Sequence, residues 1–359
     1  MEALVHNLNY IKSTLPKRTK IMAMVKAFSY GSGSTEIASL LQFHGVDYLG
    51  VAYLEEGVEL RASGIKLPIM VMNPSRDNFS KLIKNNLEPE IYSVSLLKIF
   101  LKETQKNQNP NCRFKIHLKI DTGMHRLGFS NSELNEVVEL LAQDSRIEVA
   151  TVFTHLVGAD SSVFDEFSKT QVEDFEAACS VLKSSLETPF LQHVLNSAGA
   201  IRFPHLAKDM VRLGIGMYGI DSSKTVQSQL MPVTRFVTHV SQIKTIEIGE
   251  SVGYSRGFVA TKKTKIATLP VGYADGYFRT LGNAAAKIFI NGSYCPVVGN
   301  VCMDMLMVDV SGLTVKEGDE VELFGENISV SELAEAAGTL PYEILAHIST
   351  RVPRVYLQN

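Results

Sequence analysis

The sequence predicts an α/β protein, a parallel (β/α)8 TIM-like barrel followed by a mostly antiparallel β domain. Two observations predict this fold. In the first two thirds of the chain, eight short apolar runs alternate with stretches long enough to form helices. Beyond the polar segment 221–232, apolar residues instead alternate with polar ones, which is typical of half-buried antiparallel strands.

The barrel elements follow one another in a regular order. Leu4, Leu8, Ile11 and Leu15 recur at helical spacing, and a short apolar run that ends at Lys26 predicts the first strand. A helix pattern with Ile37, Leu40 and Leu41 comes next. The other seven predicted strands are 48–53, 69–73, 90–93, 114–121, 149–155, 190–197 and 210–218. Helices are predicted between most of them, for example over 132–143 and 166–184.

The segment 221–232 is polar and predicts a linker, so we place a barrel domain at 1–225 and a C-terminal β domain at 226–359. In the second domain, Asn291-Gly292 after the apolar run 288–290 predicts a tight hairpin turn. Gly318-Asp319 lies between two further strand-like segments. One helix is predicted over 329–337.

Composition limits the classes of function. The 359 residues suffice for two domains, and 35 Lys+Arg against 38 Asp+Glu give a net charge of -3, so no basic surface indicates nucleic acid binding. The four cysteines show neither metal-ligand nor disulfide spacing, which favours a reducing, cytoplasmic setting without a metal site. No apolar run approaches the roughly 20 residues that span a bilayer, and no signal peptide opens the chain.

Polar residues at the carboxyl ends of barrel strands are candidates for an active site. Here those ends carry Lys26, Asp121, His155, Ser197 and Arg212. Each also has a structural interpretation, since a strand-end Ser or Asp often caps the next helix and a lone His is often a core residue. Five such residues on one rim favour a site.

Lys26 is the most informative of them. A lysine at the end of a buried strand is readily desolvated, its pKa falls, and its amine can then form a Schiff base with a carbonyl. Tyr30 and the glycine-spaced backbone after it offer a hydroxyl and N–H groups to a phosphate. The combination indicates pyridoxal 5′-phosphate (PLP), although a snorkelling surface lysine is the alternative.

Nine short strings of residues occur in order along nearly the whole chain. They are MVKAFSYG at 24–31, KIDTGMHRLG at 119–128, FTH at 153–155, NSA at 196–198, VRLGIGMYG at 211–219, VGY at 252–254, PVGYADG at 270–276, VCMD at 301–304 and RVPR at 351–354. This ordered set resembles the bacterial alanine racemases, PLP-dependent enzymes with a barrel and a β domain. The resemblance implies the interconversion of L- and D-alanine, which supplies D-alanine for peptidoglycan.

The resemblance also implies roles for single residues. Lys26 would hold PLP as a Schiff base, and Tyr254 of the partner subunit in a homodimer would be the second catalytic base. The residues that would bind the cofactor besides Lys26 are Tyr30, Ser197, Gly214 and Ile215 at the phosphate, Arg212 at the pyridine nitrogen, and His155.

Further residues would contact the substrate or its path to the site. Arg126 and the backbone N–H of the partner's Met303 would bind the substrate carboxylate. Tyr273, Asp304 and Asp160 would line the access path. Lys119 matches a lysine that is carbamylated in some members, and Arg212 with His155 would supply the positive charge that makes Tyr254 a better base.

The chain departs from the family pattern at several positions. Thr350 stands where some members have a phosphate-contacting tyrosine, and Asn300 replaces an arginine near the access path. The short strand that usually precedes the first helix is missing, which indicates a truncated start or a racemase segment from a longer polypeptide, such as a fusion behind a cell-wall ligase. Two alternatives stay open: a racemase of broader substrate range, and a non-catalytic PLP-binding protein of the same fold type.

Overall fold

The computed structural model describes residues 1–357, and its contacts divide them into two compact units. The barrel unit comprises Glu2–Ser29 and Gly33–Met231. The C-terminal unit comprises Met1, Tyr30–Ser32 and the chain from Pro232 onwards. Each unit has its own core and its own sheet.

The barrel unit contains eight parallel strands, as the sequence predicts. Their order in the sheet is β7-β6-β5-β4-β3-β2-β1-β8. The gap between β7 and β8 is bridged by a hydrogen bond from the N–H of Arg212 to the carbonyl of Leu195, at 3.0 Å. The strands are β1 (Lys20–Met24), β2 (Tyr48–Val51), β3 (Ile69–Val71), β4 (Glu88–Ile91), β5 (Phe114–Lys119), β6 (Ile147–Phe153), β7 (Leu191–His193) and β8 (Met210–Leu213).

Helices alternate with these strands and bury their apolar faces against them. They are α1 (Glu2–Thr14), α2 (Ser34–Phe43), α3 (Leu54–Ala62), α4 (Phe79–Lys84), α5 (Val94–Thr104), α6 (Leu134–Leu141), α7 (Asp165–Ser185) and α8 (Ser197–Arg202). Short 3₁₀ turns lie at Asn131–Glu133, Ser162–Phe164, Pro204–Leu206 and Gln227–Gln229. In α1 the predicted apolar stripe is buried at Leu4, Leu8 and Ile11, together with Asn7.

Charged side chains occupy part of the barrel interior. On β4 the alternate residues Glu88 and Glu90 are both buried, and on β5 so are His117 and Lys119. Because side chains at spacing two share one face of a strand, each pair projects to the same side. The paired strands bring Glu88 to His117 and Glu90 to Lys119.

The segment after β1 turns in the left-handed sense. Ala27, Phe28 and Ser29 have φ angles of 52°, 55° and 51° with ψ near the same values, and Tyr30 continues with φ 51°. A left-handed turn of L-residues costs about 1–2 kcal/mol per residue. The left-handed turn thus begins at the residue directly after Lys26.

The C-terminal unit contains a seven-stranded sheet, ordered β10-β13-β16-β15-β14-β17-β9 with antiparallel pairs, and a separate two-stranded pair, β11-β12. The strands are β9 (Phe236–His239), β10 (Gln242–Ile246), β11 (Ser251–Val252), β12 (Phe258–Val259), β13 (Thr264–Leu269), β14 (Lys287–Ile290), β15 (Ser293–Val298), β16 (Leu306–Asp309) and β17 (Glu320–Phe324). The helices are α9 (Val330–Ala337) and α10 (Pro341–Ala346), with 3₁₀ turns at Tyr254–Arg256, Tyr273–Asp275 and Arg279–Leu281.

The predicted hairpin is present in this unit. Ile290 pairs with Ser293 across the turn, and Asn291 and Gly292 have φ angles of 45° and 78°. Positive φ at both central residues is the geometry that Asn-Gly favours. The predicted helix also forms, with Ser329 as its capping residue, whereas α10 was not predicted.

The segment 221–232 is more ordered than a linker. The buried carboxylate of Asp221 accepts hydrogen bonds from the N–H groups of Ser223 and Val226, at 2.9 and 2.8 Å. A 3₁₀ turn at Gln227–Gln229 follows. None of the helices in the described residues is long and apolar enough to cross a membrane.

Candidate active site

Lys26 lies where β1 meets the left-handed turn. Its side chain is half-buried, and within residues 1–357 its amine makes no hydrogen bond or ion pair. Burial is the main cause that lowers the pKa of Lys26, and the positive charge of Arg126 lowers it further. An unpartnered amine with a depressed pKa fits a carbonyl cofactor bound through a Schiff base.

The backbone beside Lys26 is held by Glu56. One carboxylate oxygen of Glu56 accepts the N–H of Ala27 at 2.6 Å. The other accepts the N–H groups of Ala52 and Tyr53, at 2.6 and 3.1 Å. The side chain therefore ties the left-handed turn to the end of β2, and its charge also acts to raise the pKa of Lys26.

Lys26 belongs to a cluster of positive charges that includes Lys119, Arg126 and Arg212. The buried anion among them is Glu90, which is 0% exposed and whose Oε1 lies 3.2 Å from Nζ of Lys119. Neither oxygen of Glu90 has a well-directed hydrogen bond to any of the described residues, so the contact is an ion pair. Burial raises the pKa of Glu90 and lowers that of Lys119, while their mutual attraction opposes both shifts.

Arg212 is buried on β8 and is held on several sides. It donates to Nδ1 of His193 at 2.8 Å and to the carbonyl of Thr154 at 2.7 Å. Its guanidinium also lies over the ring of Phe153, 5.2 Å from the centroid. Burial lowers the pKa of Arg212 to about 10, so the group is protonated at neutral pH.

His155 follows β6 and lies beside Arg212, with Nδ1 3.4 Å from a guanidinium nitrogen. Burial and then the charge of Arg212 hold the pKa of His155 well below its usual value. The imidazole is therefore neutral near pH 7. The expectation that His155 adds positive charge to the site is wrong; Arg212 carries that charge.

Ser197 begins α8 after β7 and is buried. Its hydroxyl oxygen accepts the N–H of Gly214 at 2.8 Å and that of Gly216 at 3.3 Å. Ile215 lies between these two and is also buried. The Ser197 hydroxyl thus lies directly beside the backbone that follows β8.

Asp121 follows β5 and has a structural role. One of its oxygens accepts the N–H groups of Gly123, Met124 and His125, each at 3.0 Å. Burial acts to raise its pKa, but these hydrogen bonds and the nearby His125 leave the pKa lower than usual. The carboxylate organises the loop that presents Arg126, whose side chain is exposed and acts electrostatically on Lys26, Lys119 and Glu90.

The remaining barrel-unit candidate, Asp160, is exposed between β6 and α7. Besides Tyr30, four candidates lie in the C-terminal unit. Tyr254 is 69% exposed and Met303 is 53% exposed, while Tyr273 is also exposed. Asp304 forms an ion pair with Arg351 at 2.7 Å.

Tyr30 is grouped with the C-terminal unit. Its ring is buried against that of Tyr342, with centroids 6.2 Å apart, and burial raises its pKa. Asn300 donates to the carbonyl of Tyr254 at 2.9 Å and accepts from Asn283 at 3.1 Å. The amide at this departure from the family pattern therefore fixes the backbone of Tyr254. Thr350 is exposed.

Sequence reasoning missed Glu56, Glu88, Glu90, His117 and His193. On a strand, charged residues at alternate positions indicate a solvated face, and only a barrel interior reverses that interpretation. The signal that could have found Glu88, Glu90 and His117 is the alternation of charged residues on β4, matched by His117 and Lys119 on the next strand.

Comparison with known sequences gives a consistent result over the whole chain. A family model described as "Alanine racemase, N-terminal domain" matches residues 1–222, and one described as "Alanine racemase, C-terminal domain" matches residues 233–356. The chain is 38% identical over 370 residues to "Alanine racemase 1" of Caldanaerobacter subterraneus subsp. tengcongensis, covering 100% of this chain and 94% of that protein. It is 38% identical over 369 residues to the alanine racemase of Clostridium tetani, with the same coverage.

Solved structures agree. The alanine racemase of Clostridium difficile 630 superposes with a TM-score of 0.93 at 36% identity, covering 100% of this chain and 94% of that one. The alanine racemase of Bartonella henselae, solved with covalently bound pyridoxal phosphate, gives a TM-score of 0.90 at 28% identity, covering 99% of this chain and 97% of that one.

Proposed function

Because this chain belongs to the alanine racemase family, we propose that Lys26 and Tyr254 are the two groups that move the α-proton of its substrate. The chain is an isomerase that interconverts L- and D-alanine with PLP as cofactor. The supply of D-alanine for peptidoglycan is the role typical of the family. The residue roles below are our proposal.

Racemisation removes the α-proton from one face of the amino acid and returns a proton to the other. Bound PLP acts as an electron sink that makes this proton acidic. Two bases on opposite faces accomplish the transfer most simply. The amine of Lys26, whose pKa burial lowers, serves one face, and the hydroxyl of Tyr254 serves the other.

Other residues bind and orient. Arg212 would face the pyridine nitrogen, where like charges repel and the nitrogen stays unprotonated. His155 lies beside Arg212 and would contact the cofactor. Tyr30, Ser197 and the backbone of Gly214 and Ile215 would hold the phosphate, supported by the convergence of the Ser197 hydroxyl on this backbone.

The substrate carboxylate would bind Arg126 and the backbone N–H of Met303. Tyr273, Asp304 and Asp160 would line the access path. Lys119 is the candidate for carbamylation; burial lowers the pKa of its amine, whose Nζ lies 3.2 Å from Oε1 of Glu90.

We also propose a homodimer in which each C-terminal domain completes the partner's site. The exposure of Tyr254, at 69%, and of Met303, at 53%, supports this assignment. A domain division at 1–225 and 226–359 is part of the proposal, and the change of contact unit after Met231 supports it. A cytoplasmic location is proposed from the four free cysteines.

The observation that carries the assignment of the site is the half-buried amine of Lys26 at the strand end, which has no hydrogen-bond or ion-pair partner among residues 1–357. The test is to reduce the purified protein with borohydride in the presence of PLP and to map the labelled peptide. Label on Lys26 is expected. Label on another lysine, or none, contradicts the proposal.

Activity is tested by incubating the protein with each L-amino acid, with and without added PLP, and measuring the D-enantiomer. We expect D-alanine to predominate. Comparable yields with bulkier amino acids would indicate the broader-specificity racemase instead, and label on Lys26 without turnover would indicate a PLP-binding protein.

A further inference from the structure

A continuous chain of buried polar side chains crosses the interior of the barrel unit. Five consecutive strands, β4 to β8, contribute one residue each. In that order they are Glu88, His117, Thr151, His193 and Arg212. His117, Thr151 and His193 are all 0% exposed, so no solvent interrupts the chain.

Four hydrogen bonds join the five residues. Glu88 Oε2 and His117 Nε2 are 3.0 Å apart, and His117 Nδ1 and Thr151 Oγ1 are 2.8 Å apart. Thr151 Oγ1 and His193 Nε2 are 2.8 Å apart, and His193 Nδ1 lies 2.8 Å from a guanidinium nitrogen of Arg212. All four distances lie within the ordinary range.

The Arg212 end sets the direction of the bonds. Arg212 can only donate, so Nδ1 of His193 accepts and the proton of this neutral imidazole is on Nε2. Burial and the charge of Arg212 keep the pKa of His193 well below its usual value, which agrees with a neutral ring. His193 therefore donates to Thr151, whose single hydroxyl proton is left for Nδ1 of His117.

The far end fits this direction. Oε2 of Glu88 accepts from Nε2 of His117, and the hydroxyl proton of Thr151 points to Nδ1 of the same ring. Donors thus point the same way throughout, from Arg212 to Glu88. Each histidine nitrogen makes one of these hydrogen bonds, and the Thr151 hydroxyl makes two, one as acceptor and one as donor. Aligned bonds of this kind polarise one another.

We propose that Glu88, His117, Thr151 and His193 are positioning residues that form a directional hydrogen-bond relay, which fixes the orientation of the Arg212 guanidinium. Glu88 lines a surface depression near Phe114, the first residue of β5, at the amino-terminal end of the strands. The relay therefore connects a residue at the carboxyl-terminal rim to the Glu88 side chain near the opposite face of the barrel.

The relay makes a prediction that does not depend on activity. In the PLP-loaded protein labelled with ¹⁵N-histidine, long-range ¹⁵N–¹H correlations should show the Nε2–H tautomer for both His117 and His193. Single His→Gln variants assign the two signals. An Nδ1–H tautomer at His193 would overturn the proposal, because Arg212 could not then donate to it.

Matched variants test the consequence for Arg212, and this kinetic arm rests on the proposed role of Arg212. Thr151→Val keeps the size of the side chain but removes the hydroxyl, whereas Thr151→Ser keeps the hydroxyl. We expect Thr151→Val to lower kcat about tenfold with KM nearly unchanged, and Thr151→Ser to stay within about twofold of wild type.

A second pair of variants, at Glu88, keeps the test decisive if a Thr151 variant does not fold. Glu88→Gln retains an acceptor for His117, and Glu88→Leu does not, so the leucine variant alone should lower kcat. If the two variants at Thr151 have equal kcat, and the two at Glu88 do as well, the relay is wrong, although the protein racemises alanine. Absence of racemisation in the wild type would instead contradict the proposed function, and the tautomers would still decide the relay.

Discussion

The carboxylate of Glu56 accepts the backbone N–H of Ala27 at 2.6 Å, one residue after Lys26. The same carboxylate holds the N–H groups of Ala52 and Tyr53 at the end of β2. The position of Lys26 is thus set by a side chain from a neighbouring element as well as by its own strand. This contact also offsets part of the free-energy cost of the left-handed turn.

We expect Glu56→Ala to destabilise the protein by about 1–3 kcal/mol, because three backbone donors lose their acceptor. Borohydride labelling of Lys26 should also become slower, since the turn that carries the amine is loosened. The matched control is Glu55→Ala, which removes an exposed carboxylate from the same helical turn. Urea unfolding measures the first effect. Equal unfolding midpoints for the two variants would show that Glu56 does not hold the turn.

The buried pair of Glu90 and Lys119 should show strong coupling. Removing one partner of a buried ion pair typically costs about 3–5 kcal/mol, since the other charge is left uncompensated. Glu90→Gln and Lys119→Met should each destabilise the protein strongly, and the double variant should recover most of that loss. Free energies of unfolding in urea for the four proteins give the coupling energy.

The control for this cycle is the exposed pair of Lys98 and Glu136, 2.7 Å apart on the outer helices. Its coupling should be at most about 1 kcal/mol. A Glu90–Lys119 coupling as small as that of the exposed pair would mean that the two buried groups do not form an ion pair in solution.

Active sites shared between subunits should be restored by mixing two inactive proteins. One variant, Lys26→Ala, lacks the lysine amine, and the other, Tyr254→Phe, lacks the tyrosine hydroxyl. Random exchange of the two chains into two-fold dimers should therefore restore about a quarter of the active sites. Racemase activity after mixing is the measurement, and subunit exchange is verified separately with labelled chains. Continued inactivity despite exchange would mean that one chain builds each site.

Tyr254→Phe should affect the two directions of proton transfer differently. Loss of one acid–base group lowers racemisation by about 10²–10⁴-fold. Lys26 should still exchange the α-proton of one enantiomer, which we expect to be D-alanine, with solvent deuterium. The measurement is deuterium incorporation into D-alanine and into L-alanine, followed separately for the wild type and the variant. Equal exchange of both enantiomers would indicate a single mobile base or water.

The sequence predicts most of the fold because the barrel strands are apolar runs separated by amphipathic helices. Some predicted strands are longer than the observed ones, because the buried chain turns before the apolar run ends. The predicted strand 210–218 ends at Leu213, and a turn follows in which the N–H of Met217 donates to the carbonyl of Gly214. Strand-end residues such as Lys26 and Arg212 were found because the barrel topology collects them on one rim.

The rest depends on contacts that sequence order does not reveal. The left-handed turn contains no glycine before Gly31, and its geometry depends on Glu56, a residue of another element. Glu88 and Glu90 resemble surface charges until the neighbouring strand supplies His117 and Lys119 as partners. The neutral state of His155 depends on its burial and then on the charge of Arg212 beside it.

The left-handed turn also restricts which amino acids its positions tolerate. Valine, isoleucine and threonine are disfavoured at residues 27–29 by the crowding of a branched Cβ at positive φ, and proline is excluded because its ring fixes a negative φ. Glycine and asparagine meet no such barrier. At the exposed Ala27, backbone geometry therefore restricts sequence variation more than side-chain packing does. Sequence variation next to Lys26 should follow the handedness of the backbone.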